Sequence, residues 1–129
     1  RIANRTLARA EEIAHHFGRR VKPLAWADAV AAATDAGLLV NTTSLGMTKT
    51  GPLEFDVAQL PADATVADIV YVPLETDLLR QARARGLVGV DGLGMLLHQA
   101  VPGFAKWFGV TPEVTDELRD SLVADIEGR

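Results

Sequence analysis

Short apolar segments that suit β-strands alternate with helical segments along most of this 129-residue chain. Strands are predicted near residues 1–4, 20–24, 38–41, 65–71 and 87–90, and helices near residues 6–17, 26–33, 75–85, 92–108 and 112–126. Alternation of this kind, with short connections, predicts βαβ units and a parallel sheet with helices on both faces. The pattern therefore indicates an α/β fold.

Several predicted elements carry local signals. The apolar run Leu38–Asn41 is typical of a strand that is buried on both faces of a parallel sheet. Gly18 stands where a glycine commonly ends a helix. Thr111 followed by Pro112 predicts that the last helix has Thr111 as its N-cap and begins at Pro112. One face of the first helix is apolar and consists of Ala10, Ile13, Ala14 and Phe17.

The composition argues against several classes of protein. The net charge is −4, and no cluster of Lys and Arg is large enough to bind a nucleic-acid backbone. The chain has no cysteine, and its three histidines match no metal-binding spacing, so we expect no metal site. No apolar run approaches the roughly 20 residues that span a bilayer, and no signal peptide opens the chain. We therefore expect a cytoplasmic protein that binds neither nucleic acid nor membrane.

Two arginines stand at the first predicted strand-to-helix junction, where Arg5 and Arg9 follow Asn4. In dinucleotide-binding folds, an acidic residue at the end of the second strand binds the adenosine ribose of NAD, whereas an arginine there accommodates the additional phosphate of NADP. The two arginines are four residues apart, so both can reach one anion at the positive end of the helix. The alternative is that they are solvated surface charges, one of them paired with Glu12.

Polar residues also follow the later strands, at the edge where ligands bind to parallel sheets. Asn41 and Thr43 either contact a ligand or cap the turn that follows them. Tyr71 ends a strand predicted to be buried, so its hydroxyl is expected to need a polar partner, although a tyrosine at the edge of a core is equally common. For these residues the sequence leaves two roles open, a contact with a ligand and a purely structural role.

The helix predicted at residues 92–108 has two distinct sides. Its apolar stripe consists of Leu93, Leu97, Ala100 and Phe104. Met95 and Gln99 lie in a neighbouring direction, off that stripe, where they either line a cleft or are simply solvated. Gly92 and Gly94 leave room for a ligand to approach the backbone.

Four motifs occur in a fixed order and together span most of the chain. They are Asn4-Arg5-Thr6-x-x-Arg9-Ala10, Asn41-Thr42-Thr43-Ser44-Leu45-Gly46-Met47, Asp68-Ile69-Val70-Tyr71-x-Pro73-x-x-Thr76-x-Leu78-Leu79 and Asp91-Gly92-Leu93-Gly94-Met95-Leu96-x-x-Gln99-Ala100. Each motif alone is loose. Together, from residue 4 to about residue 109, they resemble the shikimate dehydrogenase family.

The resemblance implies a role for each motif. The adenosine phosphate of NADP would be held by the first motif, namely Asn4, Arg5, Thr6, Leu7, Ala8 and Arg9. Ile69 and Gly92 would lie against the nicotinamide, and Tyr71 and Gln99 would contact the substrate. The family's catalytic Lys and Asp, its substrate-binding serines and its glycine-rich loop would all lie upstream of Arg1. No catalytic residue is therefore assigned to this chain.

The resemblance also implies a fold, an activity and a domain division. Residues 1–91 would form a truncated Rossmann-like NADP-binding domain, and residues 92–129 would be C-terminal helices that pack back on a substrate domain. The complete protein would reduce 3-dehydroshikimate to shikimate with NADPH, in aromatic amino-acid biosynthesis, and this chain alone would be inactive. Two alternatives stay open: an NAD-preferring quinate/shikimate dehydrogenase, and a non-catalytic nucleotide-binding or regulatory module. The oligomeric state is also open, a homodimer included.

Overall fold

The computed structural model describes residues 1–128, which contain five short strands and four α-helices. The strands are β1 (Ile2–Asn4), β2 (Pro23–Ala25), β3 (Leu38–Asn41), β4 (Thr65–Asp68) and β5 (Val88–Val90). The helices are α1 (Leu7–Phe17), α2 (Asp77–Ala84), α3 (Leu93–Phe108) and α4 (Asp116–Ile126). The predicted α/β class is confirmed.

All strand pairs are parallel, but they form two groups rather than one sheet. β1 pairs with β2, and β3, β4 and β5 form a three-stranded sheet in that order. In the strand order 3-2-1-4-5-6 that is usual for dinucleotide-binding sheets, strand 1 lies between strands 2 and 4. β1 and β3 of this chain correspond to strands 2 and 4 of that order, which accounts for the lack of hydrogen bonds between them. A cleft of about 400 Å³ lies between the two groups and is lined by residues of both.

The main core lies where α2 packs against the three-stranded sheet. Val66 in β4 is fully buried, and Leu78 and Leu79 of α2 pack in the same cluster. Thr76 begins α2 as its N-cap, because its hydroxyl accepts a hydrogen bond from the Leu79 N–H. This packing fixes the carboxyl end of β4 and the start of α2 close to one another.

Two helix predictions are corrected. Residues 26–33 form two separate 3₁₀ turns, Trp26–Asp28 and Ala31–Ala33, because so short a segment gains too few hydrogen bonds to nucleate an α-helix. α4 begins at Asp116 rather than at Pro112, and its N-cap is Thr115, whose hydroxyl accepts a hydrogen bond from the Leu118 N–H at 3.2 Å. Two acidic residues in its first turn also favour this later start.

The burial of β3 and α1 differs from the sequence prediction, and α3 exposes a large aromatic residue. β3 is not buried on both faces, because Leu38 and Val40 are 58% and 43% exposed. On the apolar face predicted for α1, Ala10 is fully buried whereas Phe17 is exposed. Trp107, near the end of α3, is 81% exposed. Within residues 1–128, no helix is both long and apolar enough to cross a membrane.

Candidate functional site

The first part of the candidate site is the junction between β1 and α1. The Asn4 side chain closes this turn, since its Oδ1 accepts a hydrogen bond from the Thr6 N–H at 2.9 Å. Thr6 is the N-cap of α1, but its side chain caps no N–H group of the helix. The first turn also contains no acidic residue. The positive end of α1, which includes Leu7 and Ala8, is therefore open to solvent and not neutralised by the protein.

Arg5 and Arg9 stand at this open helix end. Both residues are exposed, and neither guanidinium makes a hydrogen bond or ion pair with another residue of the described chain. Within residues 1–128, neither arginine therefore forms the ion pair with Glu12 that the sequence left open. Two free guanidinium groups beside unneutralised helix N–H groups can bind an anion, and guanidinium groups bind phosphate well because they can donate two parallel hydrogen bonds to it.

The second part is a cavity of about 360 Å³ beyond the carboxyl ends of β3 and β4. Its lining comes from the segment after β3, the segment after β4 and the first turn of α3, and consists of Thr42, Thr43, Ser44, Met47, Ile69, Val70, Tyr71, Val72 and Met95. Most of these side chains are apolar, and the hydroxyl groups belong to Thr42, Thr43 and Ser44 of the first segment and to Tyr71 of the second. A cavity with apolar walls and a few polar groups is the kind of site that accepts a small molecule.

Gly92 brings the start of α3 into direct contact with the segment that follows β4. A Cβ atom on Gly92 would lie 2.2 Å from the carbonyl oxygen of Ile69, so only glycine fits there. The Gly92 N–H donates a hydrogen bond to the Val70 carbonyl at 3.2 Å. Asp91 holds the same region from the other side, because it accepts hydrogen bonds from the Leu93 N–H at 3.0 Å and from Arg119 of α4 at 2.7 Å.

Tyr71 and Gln99 occupy different environments. β4 ends at Asp68, so Tyr71 lies three residues beyond the strand and is 36% exposed, rather than buried at its end. Its side chain lines the cavity together with that of Met95. Gln99 is exposed one turn later on α3 and is not among the residues that line the cavity. The structure thus brings Ile69, Tyr71 and Met95 together, and it leaves Gln99 at the margin.

The role of Asn41 was open from sequence, and the structure shows a local one. Asn41 is 4% exposed, and its Oδ1 accepts hydrogen bonds from the Thr43 N–H at 3.0 Å and from the Thr43 hydroxyl at 2.8 Å. It therefore caps the turn that forms one wall of the cavity. Sequence reasoning assigned no role to Ser44 or Met47 of that wall. Their place in the second motif, directly after a strand end, was the available signal.

Comparison with known proteins agrees with the geometry. A family model described as the shikimate 5'-dehydrogenase C-terminal domain matches residues 92–119. Shikimate dehydrogenase (NADP(+)) from Azorhizobium caulinodans is 61% identical over 128 residues, which are 99% of this chain and 46% of that protein. The chain thus spans less than half the length of the curated relatives that it matches.

Solved structures show the same relationship. Quinate dehydrogenase from Corynebacterium glutamicum, in complex with NAD, has a TM-score of 0.81 and 33% identity, with 95% of this chain and 45% of that chain covered. Shikimate 5-dehydrogenase from Thermus thermophilus, in complex with NADP(H) and shikimate, has a TM-score of 0.72 and 36% identity, with 86% and 40% covered. The chain therefore belongs to the shikimate dehydrogenase family, and it corresponds to the C-terminal part of these proteins.

Proposed function

We propose that this chain is the cofactor-binding portion of an NADP-dependent shikimate dehydrogenase. In this proposal residues 4–9 bind the adenosine phosphate of NADP, and Ile69 and Gly92 flank the nicotinamide. Tyr71 and Gln99 contact shikimate or 3-dehydroshikimate. The catalytic acid and base would come from a part of the protein outside this sequence, so the chain alone would bind without turning substrate over.

The single observation that carries the proposal is the state of Arg5 and Arg9. Both guanidinium groups are unpaired within the described chain, at a helix start that has no acidic residue in its first turn. The 2′-phosphate of NADP offers them two negative charges, whereas the ribose of NAD offers only hydroxyl groups, which an acidic residue would bind better. The relatives at 61–64% identity are named NADP(+) enzymes, which agrees with this preference.

The geometry supports a division of work among these residues. Bound NADPH would supply the hydride that reduces the ring ketone of 3-dehydroshikimate. The apolar cavity walls would exclude water from the nicotinamide, while the close contact of Gly92 with Ile69 would fix the wall on which the ring lies. The Tyr71 hydroxyl and the Gln99 amide would each form a hydrogen bond with polar groups of the substrate.

An NAD-preferring quinate/shikimate dehydrogenase is the second candidate. It is favoured by the structural similarity to the quinate dehydrogenase solved with NAD. The unpaired arginines favour NADP instead, because NAD has no 2′-phosphate and the two cations would therefore contribute little to binding it. A purely regulatory nucleotide-binding module would need the nucleotide site but not the cavity lined by Tyr71. A Tyr71 variant that loses turnover but still binds NADPH would therefore indicate an enzyme.

The test uses a chimaera in which this chain replaces the corresponding C-terminal part of the Azorhizobium caulinodans shikimate dehydrogenase. Arg5→Ala and Arg9→Ala should each weaken NADPH binding by about 1–3 kcal/mol, because each removes a charge-assisted contact with the phosphate. NADH binding should stay nearly the same. Arg19→Ala, an exposed arginine at the far end of α1, is the matched control and should change neither. Equal weakening of both cofactors would rule out the phosphate site.

A further inference from the structure

One buried charge has no part in the proposed function. Asp68, the last residue of β4, is 2% exposed, and no Lys, Arg or His side chain in residues 1–128 forms an ion pair with it. A buried carboxylate without a cation is costly, so it persists only where other donors replace its hydration. The question is what those donors hold in place.

Three segments of the chain donate hydrogen bonds to the Asp68 carboxylate. Its Oδ1 accepts from the Asn41 Nδ2 and from the Val70 N–H, each at 3.0 Å. Its Oδ2 accepts from the Thr76 hydroxyl at 2.8 Å. The carboxylate therefore joins the end of β3, the segment after β4 and the start of α2, and it acts only as an acceptor in all three contacts.

Two of these partners lead directly to the walls of the 360 Å³ cavity. Asn41 passes the connection on through its own Oδ1, which accepts from Thr43, while its Nδ2 also donates to the Leu45 carbonyl at 3.0 Å. The Thr43 hydroxyl in turn accepts from the Leu45 N–H at 3.0 Å. Val70, the second partner, lines the opposite wall. A single side chain is thus connected to both walls, directly through the Val70 N–H and indirectly through Asn41.

We propose that Asp68 is a positioning residue that sets the separation of the two cavity walls, the turn at residues 42–45 and the segment at residues 69–72. It acts through Asn41 on one side and through the Val70 N–H on the other. For the identity of the ligand this inference rests on the proposed function, in which the nicotinamide and the substrate lie between these walls. The positioning itself concerns only residues of this chain.

The amide group of asparagine cannot replace the carboxylate. Asp68→Asn keeps the shape of the side chain but replaces one carboxylate oxygen with an NH₂ group. Two partners donate to Oδ1 and the third donates to Oδ2, so the amide leaves at least one donor without an acceptor in either orientation. Thr76→Val replaces the hydroxyl with a methyl group, which leaves Oδ2 without its donor and also removes the cap of α2 at the Leu79 N–H. It serves as a second, milder variant. Asp77→Asn, an exposed acidic residue next to Thr76, is the matched control.

The first measurement is hydrogen exchange of backbone amides in the chain as it stands. In Asp68→Asn the Thr43 and Leu45 amides, which Asp68 does not touch, should lose protection by at least about tenfold more than the amide of Val66 in β4. Thr76→Val should show the same pattern at smaller amplitude, and Asp77→Asn should show none. An equal loss of protection at all amides would mean that Asp68 only stabilises the fold as a whole, and it would overturn the proposal. Unchanged protection of the Thr43 and Leu45 amides would also overturn it.

The second measurement is steady-state kinetics of the chimaera. Asp68→Asn should lower kcat by about tenfold or more while the KM for NADPH changes by less than about twofold, since residues 4–9 are not part of the network. Unchanged kcat in an active chimaera would overturn the positioning role and leave the proposed function intact. A chimaera inactive even with Asp68 in place would count against the proposed function instead, and hydrogen exchange would still decide the positioning.

Discussion

Gly92 illustrates how one residue can determine the shape of a binding cavity. Any side chain at this position would collide with the Ile69 carbonyl group, since even a Cβ atom would lie 2.2 Å from its oxygen. α3 can therefore begin against the end of β4 only because residue 92 is glycine. The same contact places Met95, one turn into α3, beside Tyr71 on the cavity wall.

Tyr71 and Gln99 allow a test of the proposed substrate contacts. In the chimaera, Tyr71→Phe and Gln99→Ala should each reduce shikimate turnover, because each removes a neutral hydrogen bond worth about 0.5–1.5 kcal/mol. NADPH affinity and folding should be retained, since both side chains are at least partly exposed and belong to no core cluster. Turnover that stays unchanged in Gln99→Ala would show that the exposed position of Gln99 reflects its solvation and not a substrate contact.

At the scale of elements, the start of α4 depends on a single cap. Thr111 and Pro112 form a good start signal, but the helix begins only at Asp116, after an extended Thr115. The backbone N–H of Glu117 and the Thr115 hydroxyl both form hydrogen bonds with the Glu117 carboxylate and lower its pKa. These contacts, with the acidic first turn, stabilise a helix that begins at Asp116.

The two candidate caps can be compared directly. Thr115→Ala should destabilise α4 by about 1 kcal/mol, because the Leu118 N–H loses its acceptor. Thr111→Ala should change its stability by less than about 0.5 kcal/mol, as a substitution outside the helix. Helical chemical shifts and amide exchange across α4 measure both effects. A larger loss of stability in Thr111→Ala than in Thr115→Ala would indicate that α4 begins at Pro112 instead.

Much of the element order was predictable because it depends on local signals. All five predicted strands and four of the five predicted helices occur, since each has an apolar pattern of its own, although two strands are shorter or shifted and the last helix begins later than predicted. The grouping of Arg5 and Arg9 at a helix start was predictable for the same reason. The burial of Asp68 and the contact of Gly92 with Ile69 were not, because they depend on how distant segments pack.

At the scale of the whole molecule, the chain exposes an unusual amount of apolar surface near its C-terminal helices. Trp107 is 81% exposed, and Phe108 and Val110 are 64% and 61% exposed. Apolar side chains grouped in this way commonly belong to an interface. In the proposed function, they would pack against the substrate domain that relatives of about twice this length would carry.

The chain by itself should therefore be inactive. Under the proposed function it binds the cofactor, whereas the acid and base groups that move a proton at the ring ketone would come from another part of the protein. The purified chain, mixed with NADP and shikimate, should form no NADPH above the rate without protein. Shikimate-dependent NADPH formation by the chain alone would show that it contains catalytic groups of its own.

The most direct test of the central claim is the cofactor-dependent activity of the unmutated chimaera. If this chain is the cofactor-binding portion of an NADP-dependent shikimate dehydrogenase, the chimaera should reduce 3-dehydroshikimate with NADPH. Its kcat/KM with NADH should be at least about tenfold lower, because the Arg5 and Arg9 contacts with the phosphate are missing. A folded chimaera that reduces 3-dehydroshikimate with neither cofactor, or one that prefers NADH, would contradict the account.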